Sequence, residues 1–471
     1  MTAEFVTVIL AAGQGTRMKS ELPKVMHPVA GIPMYAHVVQ AALEAGSRDV
    51  VLVVGHGRDA LESDVTARFG ERVRTAVQER QLGTGDAVRA GMQALPNFAG
   101  YVVILYGDSP LLHTELVRAL LLRTEPSAPS AVVLTCELSD PSGYGRIVRD
   151  ASGQVRCIRE HKDASPSERE ITEVNAGVYA FHGPFLREAL SKLGTDNAQG
   201  ELYLTDVVEQ AAQAGSVETL SWSFDDVGGV NDRAQLAVCE AAMRLRIAQR
   251  HARAGVTIRD LTTAYIDANV SIERDAILEA NVHLRGNTKL ASQVRVDTGC
   301  VLTDVTVARG AYLKPYTVAS ESEIGEAVET GPFAHLRPAT VLEAESKVGN
   351  FVELKKTRLG HGSKASHLSY LGDGVIGRDV NIGAGTIFCN YDGVNKQVTT
   401  IDDGAFIGSD SQLIAPVRIG QGAYIATGST INRDVPAGAL AISRARQENK
   451  PGYAARLAER FQALKAAAKR K

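Results

Sequence analysis

The chain has little cysteine and places it poorly for a metal or a disulfide framework. Its five cysteines (Cys136, Cys157, Cys239, Cys300 and Cys389) are an odd number with no CxxC pair and no metal-ligand spacing, so reduced, mostly buried thiols are expected. An excess of one charge is also missing. With 51 Lys and Arg against 54 Asp and Glu, there is no global basic field, which argues against nucleic acid as a partner but leaves local anion sites open. No apolar run is long enough to cross a bilayer, so no membrane insertion is expected. The opening MTAEFVTVILAAG lacks a basic region and a cleavage site, so it reads as a strand rather than a signal peptide and points to a cytoplasmic chain. Neither a Walker loop nor the dinucleotide fingerprint GxGxxG is present.

What is present is a six-residue rhythm. Ile266, Ile272, Leu278, Leu284, Leu290, Val296 and Leu302 recur at every sixth place, each with a small or β-branched residue two places earlier. That spacing fits neither a helix nor an ordinary strand. It returns at Ile407, Leu413, Ile419, Ile425 and Ile431, preceded by Ala405, Ser411, Val417, Ala423 and Ser429. Such hexads predict a parallel β-helix, in which each unit gives one short strand and a turn, and each aliphatic knob stacks on the knob one coil away. Cys300 takes a small-residue place inside the coil. The repeat resembles that of hexapeptide acyltransferases, whose left-handed prisms pack in threes with acetyl-CoA between neighbours; a structural or oligomerising stalk is the alternative.

The N-terminal half has another rhythm. Buried-strand runs at Phe5 to Leu10, Val50 to Val54 and Tyr101 to Leu105 each end in a glycine-bearing loop, with helical stretches such as Met34 to Ala45 and Leu112 to Leu122 between them. Alternation of this kind predicts an α/β, mostly parallel, doubly wound (Rossmann-like) sheet with its ligand site at the carboxyl ends of the strands. A helical stripe of Leu236, Cys239, Met243, Ile247 and Arg250 follows. The length suits ~3 domains of ~150 residues, or equally two large units with tails, because a solenoid grows without a new core. The boundaries expected are a sheet domain at 1–230, a linker helix at 231–253, a β-helix at 254–446 and a basic tail at 447–471, surface-packed or frayed.

The first chemical motif is Leu10-Ala11-Ala12-Gly13-Gln14-Gly15-Thr16-Arg17-Met18, with Pro23-Lys24 soon after. Glycines just beyond a strand let backbone N–H groups approach phosphate oxygens, while Arg17 and Lys24 suit the charge of a departing pyrophosphate. The string LAAGxGTRM…PK resembles the signature of sugar-phosphate nucleotidylyltransferases. Gln78 and Gln81-Leu82-Gly83-Thr84-Gly85 resemble the base-reading QLGTG segment of the uridylyl branch. In Tyr106-Gly107-Asp108 the carboxylate at a strand end suits a magnesium ion bridging phosphates, although such an Asp also suits the cap of the next helix.

The hexads between Leu336 and Asn395 are interrupted by polar residues that a passive coil does not need: Arg337, Glu353, Lys355, His367, Tyr370, Asn381 and Asn390-Tyr391-Asp392. Phe388 and Ile401 are thirteen apart, one residue out of register. Insertions in solenoids generally serve a binding face. His367 is a candidate general base because an amine loses a proton as it attacks a thioester and an imidazole titrates near neutrality. Glu353 is expected to orient it. Arg337 and Lys355 suit a sugar phosphate, as fork and point charge.

From Phe5 to Arg444 the chain resembles the bacterial bifunctional uridyltransferase/acetyltransferase family, through GPFAHLRP, GNFVELKK, GSKASHLSYLGD, NIGAGT, CNYDG, IGSDSQLIAPV and ALAISR. The resemblance implies that the β-helix acetylates glucosamine 1-phosphate, with His367 as base and Arg337, Lys355, Tyr370 and Asn381 on the sugar phosphate. It implies that Ala384, Asn390, Tyr391, Ser409, Thr427 and Arg444 line acetyl-CoA, with Lys396 nearby. In the sheet domain it implies UTP, Mg2+ and N-acetylglucosamine 1-phosphate as reactants. There Leu10, Ala11, Ala12, Gly13, Lys24, Gln78, Gly83, Thr84, Tyr106, Gly107 and Asp108 would hold the nucleotide, and Gly143, Glu160, Asn175 and Asn231 the acetamido sugar. Asp108 and Asn231 would hold the metal. Asn231 also sits one residue before the linker helix, a helix-cap place. The family implies a homotrimer. Two departures stand out: Thr427 replaces a customary alanine, and Asp86 follows QLGTG where histidine is common. A single-activity nucleotidylyltransferase with a structural or regulatory β-helix is the alternative function.

Overall fold

In Phe5–Leu10 and Val50–Val54 every residue is buried, as expected of strands covered on both faces. Side chains alternate between two cores. Val6, Val8 and Leu10 pack with Val88, Met92, Leu190 and Val207, and Phe5 and Ile9 with Tyr35, Val38, Leu116 and Val117. The computed structural model describes residues 4–125, 127–215 and 217–469; the extremes of the opening segment and of the basic tail, 1–3 and 470–471, lie outside them.

The main sheet runs Val217–Ser221, Ala131–Glu137, Glu173–His182, Tyr101–Tyr106, Phe5–Leu10, Val50–Val54, Val73–Val77. It is mostly parallel, with Glu173–His182 antiparallel to both neighbours. Leu10 stands opposite both Val53 and Tyr106, so three loops leave the sheet at one level. There Ala11 N–H donates to Val53 O, Gly107 N–H to Leu10 O and Gln78 N–H to Val54 O, each at 2.9 Å. The strand Glu173–His182 shifts register between Asn175 and Tyr179. Gly177 turns this bulge at φ +77°, where a Cβ would lie 3.0 Å from the Tyr106 ring; bulges of this kind re-aim side chains beside sites.

The helix Arg233–Arg253 buries Cys239, Met243, Ile247, Ala248 and His251. Its stripe therefore ends on His251 and not on Arg250, which is exposed; an imidazole is cheaper to bury than a guanidinium. Glu240 accepts from Ala30 N–H at 2.7 Å and Arg246 donates to Asp226 at 2.8 Å. These bonds group the helix with the sheet. By contacts, one unit is Met1–Arg253 with Leu261–Val270, and the other is Ala254–Asp260 with Ser271–Lys471.

The second unit is a parallel β-helix with its short strands in three sheets. Knobs stack in register, Leu278 on Val296, Leu284 on Leu302 and Leu290 on Val307. Strict hexads lapse after Leu302 because some turns are one residue shorter: Leu302 to Val307, Ala319 to Ile324 and Leu371 to Ile376 are five apart, yet all stay buried. Several hydroxyls at the small-residue places bond turn carbonyls, as Thr288 to Arg285 O (2.7 Å) and Ser411 to Gly408 O (2.6 Å), which satisfies them in a dry interior; Ser346 Oγ and Thr399 Oγ1 are buried without such a bond. Cys300 is buried there; it and the other four cysteines are free thiols, four of the five buried.

The coil runs unbroken through the expected interruption. Ile376 pairs with Ile401, a step of 25 residues, whereas Ile401 pairs with Ile419 after 18. The one-residue slip is therefore a seven-residue insertion, bridged antiparallel between Tyr391 and Lys396. At one corner Tyr316, Phe333 and Phe351 stack, with centroids 5.1 and 5.4 Å apart, each at positive φ and exposed. The tail forms the helix Tyr453–Ala468, in which no described residue is buried.

Candidate active sites

The loops at the carboxyl ends of the sheet enclose a cleft with two lobes. One, of about 320 Å³, is lined by Leu10, Ala11, Ala12, Gly13, Lys24, Gln78, Gly83, Thr84, Tyr106 and Asp108. The other, of about 330 Å³, shares Thr84, Tyr106 and Asp108 and adds Gly143, Glu160, Asn175 and Asn231. The expected residues thus come together, except that Gly107 and the exposed Arg17 are not among those lining the lobes. Gly107 holds its loop to Leu10, and Arg17 Nη2 donates to Asn231 Oδ1 at 2.9 Å. Gln81, Glu201, Tyr179 and Thr205 also line the cleft; nothing in the sequence pattern marked the last three.

Lys24 and Asp108 form an ion pair inside the cleft. Gly15, at φ +61°, permits it, because a Cβ there would lie 2.5 Å from Lys24 Cβ. The two capping alternatives fall away. The Asp108 carboxylate faces Lys24, and the next helix begins only at Thr114. The linker helix is capped by Asp232, whose Oδ1 accepts from Gln235 N–H at 2.9 Å, while the Asn231 carbonyl faces Arg17. Burial pushes the Glu160 carboxyl up, opposed by a 3.1 Å bond from the Thr205 hydroxyl. Gln78 donates through Nε2 to Gly83 O (3.1 Å) and to Asp86 Oδ2 (3.0 Å).

On the β-helix, backbone bonds align His367, Ala384, Ser409 and Thr427 on successive coils. Gly385 N–H reaches Leu368 O, Asp410 N–H reaches Ala384 O and Gly428 N–H reaches Ser409 O. At ~4.8 Å per coil the column extends ~14 Å from His367. Arg444 donates to Thr427 O at its far end. Arg337, Lys355 and Tyr370 lie along the adjoining sheet, where Glu353 pairs with Tyr370 and Lys355 with Gly372. Asn381 lies across the corner, paired with Phe406. Asn390 Nδ2 donates to Asp373 Oδ2 at 2.6 Å, Tyr391 is exposed on the inserted loop, and the ammonium of Lys396 pushes Lys355 below its usual pKa.

One expectation is corrected. Glu353 does not orient His367; its Oε1 accepts from Arg337 Nη1 at 2.8 Å. The partner of His367 is Asn350, whose Oδ1 lies 2.6 Å from Nδ1. Register is the reason: Asn350 pairs with His367 on one sheet, whereas Glu353 pairs with Tyr370 on the next. GNFVELKK contains both residues, and only the coil register tells them apart.

Two stretches of the chain match transferase families. Residues 7–177 match the MobA-like NTP transferase domain and residues 399–433 the bacterial transferase hexapeptide (six repeats). The fold is thus a nucleotidyltransferase sheet followed by a left-handed parallel β-helix, the architecture of a two-domain transferase. The bifunctional protein GlmU of Sorangium cellulosum is 57% identical over 98% of this chain and 98% of its own. Those of Trichlorobacter lovleyi and Brevibacillus brevis are 48% and 49% identical, over 95% of this chain and 97% and 96% of theirs. The chain belongs to the bifunctional GlmU family and is an enzyme with uridyltransferase and acetyltransferase functions. Its substrates include a nucleotide. Among the described residues no helix is long and apolar enough to cross a membrane.

Proposed function

We propose that this cytoplasmic chain works as a homotrimer, acetylating glucosamine 1-phosphate on the β-helix and completing UDP-N-acetylglucosamine in the cleft. The observation that carries the first step is the His367–Asn350 contact. With Nδ1–H donated to Asn350, Nε2 keeps its lone pair. As the sugar amine attacks the acetyl-CoA thioester, Nε2 takes its proton, the C–N bond forms and the CoA sulfur leaves. Arg337 and Lys355 hold the sugar phosphate, with Tyr370 and Asn381 beside them, and Glu353 aims Arg337. Ala384, Ser409 and Thr427 line a track of pantetheine length, with Asn390, Tyr391 and Arg444 also toward the coenzyme.

In the cleft, a phosphate oxygen of N-acetylglucosamine 1-phosphate attacks the α-phosphorus of UTP, and pyrophosphate leaves. Arg17, Lys24 and the Gly13 loop neutralise and bind the triphosphate, Gln78 and Gly83 face the base, and Glu160, Asn175 and Gly143 the acetamido sugar. The Asp108 carboxylate and the Asn231 carbonyl, each now on a cationic side chain in one cleft, are hard oxygen donors suited to Mg2+ completed by substrate phosphates. Bound there, the ion would screen triphosphate charge.

Trimer formation is supported by the exposed stack Tyr316, Phe333 and Phe351 next to the His367 column. A second chain would cover this stack and supply the other wall for a long coenzyme. The deciding experiment supplies glucosamine 1-phosphate, acetyl-CoA, UTP and Mg2+ and resolves the acetylated intermediate from the nucleotide sugar; release of CoA without a nucleotide sugar, or the reverse, would leave only one of the two activities.

A further inference from the structure

The amide of Gln78 is held from one side only. Its amino group donates to Gly83 O at 3.1 Å and to Asp86 Oδ2 at 3.0 Å. Both neighbours are acceptors, so the amide cannot turn over without setting oxygen against oxygen. The other carboxylate oxygen of Asp86 is occupied by Arg89 Nη2 at 2.6 Å, which keeps the carboxylate aimed. Asp86 is mostly buried, its side chain 13% accessible. Gln78 lines the nucleotide lobe, and among the described residues no group donates to its Oε1. What Gln78 offers a base is therefore a lone acceptor.

We infer that Asp86 is a specificity-determining residue that acts through Gln78, fixing the amide so that the lobe selects a pyrimidine with a ring N–H. This rests on the reading of the lobe as the UTP site. Uracil presents N3–H to Oε1. Cytosine presents a bare N3, acceptor against acceptor, and must slide along the pocket to use its amino group instead. Without Asp86 only Gly83 O holds the amino group, and the amide can turn over to serve either ring. Buried hydrogen-bonding groups reject a base that leaves them unpaired, so releasing the amide should relax the choice.

The test measures uridylyl transfer by the full chain with UTP, CTP and N3-methyl-UTP, in the native protein and in Asp86→Asn and Asp86→Ala. The native protein should prefer UTP and lose most of its kcat/KM with N3-methyl-UTP, a result that needs no variant. Asp86→Ala should lower the UTP-to-CTP ratio of kcat/KM by roughly tenfold, mainly through a higher KM for UTP, while Asp86→Asn, whose Oδ1 can still accept from Gln78, should fall in between and keep kcat. Unchanged discrimination in a variant that keeps kcat would overturn the role of Asp86, and full use of N3-methyl-UTP would overturn the acceptor. Failure of the native protein to use UTP would overturn the underlying assignment and this inference with it.

Discussion

Asn350 and His367 are neighbours one coil apart, with Oδ1 and Nδ1 at 2.6 Å. The contact leaves Nε2 as the basic atom. Replacing His367 by Ala should abolish acetyl transfer while uridylyl transfer from supplied N-acetylglucosamine 1-phosphate survives, because the two sites lie in separate units. Asn350→Ala should lower kcat for acetyl transfer by about 10- to 100-fold with little change in KM, a loss within the range of general-base catalysis. Separate assays of the two half-reactions check both, and loss of both activities in folded His367→Ala would sink the two-site assignment.

Asp108 should matter to one reaction only. Asp108→Ala is expected to remove Mg2+-dependent uridylyl transfer and leave acetyl transfer intact, and a chelator should act the same way. Equal inhibition of both reactions by a chelator would contradict the metal assignment.

The ion pair of Glu353 with Arg337 joins two side chains each 37% exposed, a setting in which such pairs add little to stability. Glu353→Ala should therefore leave the unfolding temperature nearly unchanged. It should raise KM for glucosamine 1-phosphate several-fold, with Glu353→Gln in between. A fall in kcat at constant KM would instead restore the role of orienting His367.

Sedimentation of the full chain should give three copies per particle. Charging the exposed stack, as in Phe333→Asp with Phe351→Asp, should yield a monomer that has lost acetyl transfer and kept uridylyl transfer. A monomer that acetylates at the native rate would refute the shared site.

His251 is buried near the end of its helix, and burial pulls its pKa down to about 4. The unfolded chain binds this proton at an ordinary pKa near ~6.5. Between these values the unfolded state holds more protons, so stability is complete above about pH 6.5 and falls as pH drops toward 4. Discounted for solvent screening, the loss from this group should be about 1–2 kcal/mol. Burial lowers His27 and His37 as well, with the same sign. Denaturant titrations at pH 7 and pH 5 should reveal the slope, and His251→Phe should flatten part of it.

Both rhythms were legible in the sequence because buried strands and hexads carry period and composition together. Leu10, Asp108 and Gln78 were legible because motifs at strand ends fall on one side of a sheet. Turn lengths were not: the five-residue steps at Leu302 and Ala319 look like lost repeats, yet the coil absorbs them without exposing a knob. The choice between Glu353 and Asn350 was also hidden. Three residues apart in sequence, they belong to different sheets, and only pairing across coils decides which one meets His367.

The coils from Ser271 to Thr303 bear none of the residues assigned to acetyl transfer and none of the exposed stack, and each is bonded to the next in one repeating register. Their number is therefore a free dimension of the molecule, adjustable in whole turns. Removing one complete coil shortens the stack by ~4.8 Å and returns every later side chain to its own face. Deleting a single residue within a strand has the opposite effect, since it turns the next knob outward. Within the strands, then, change is tolerated only in whole turns, whereas a turn can give up one residue, as between Leu302 and Val307, and leave both knobs buried.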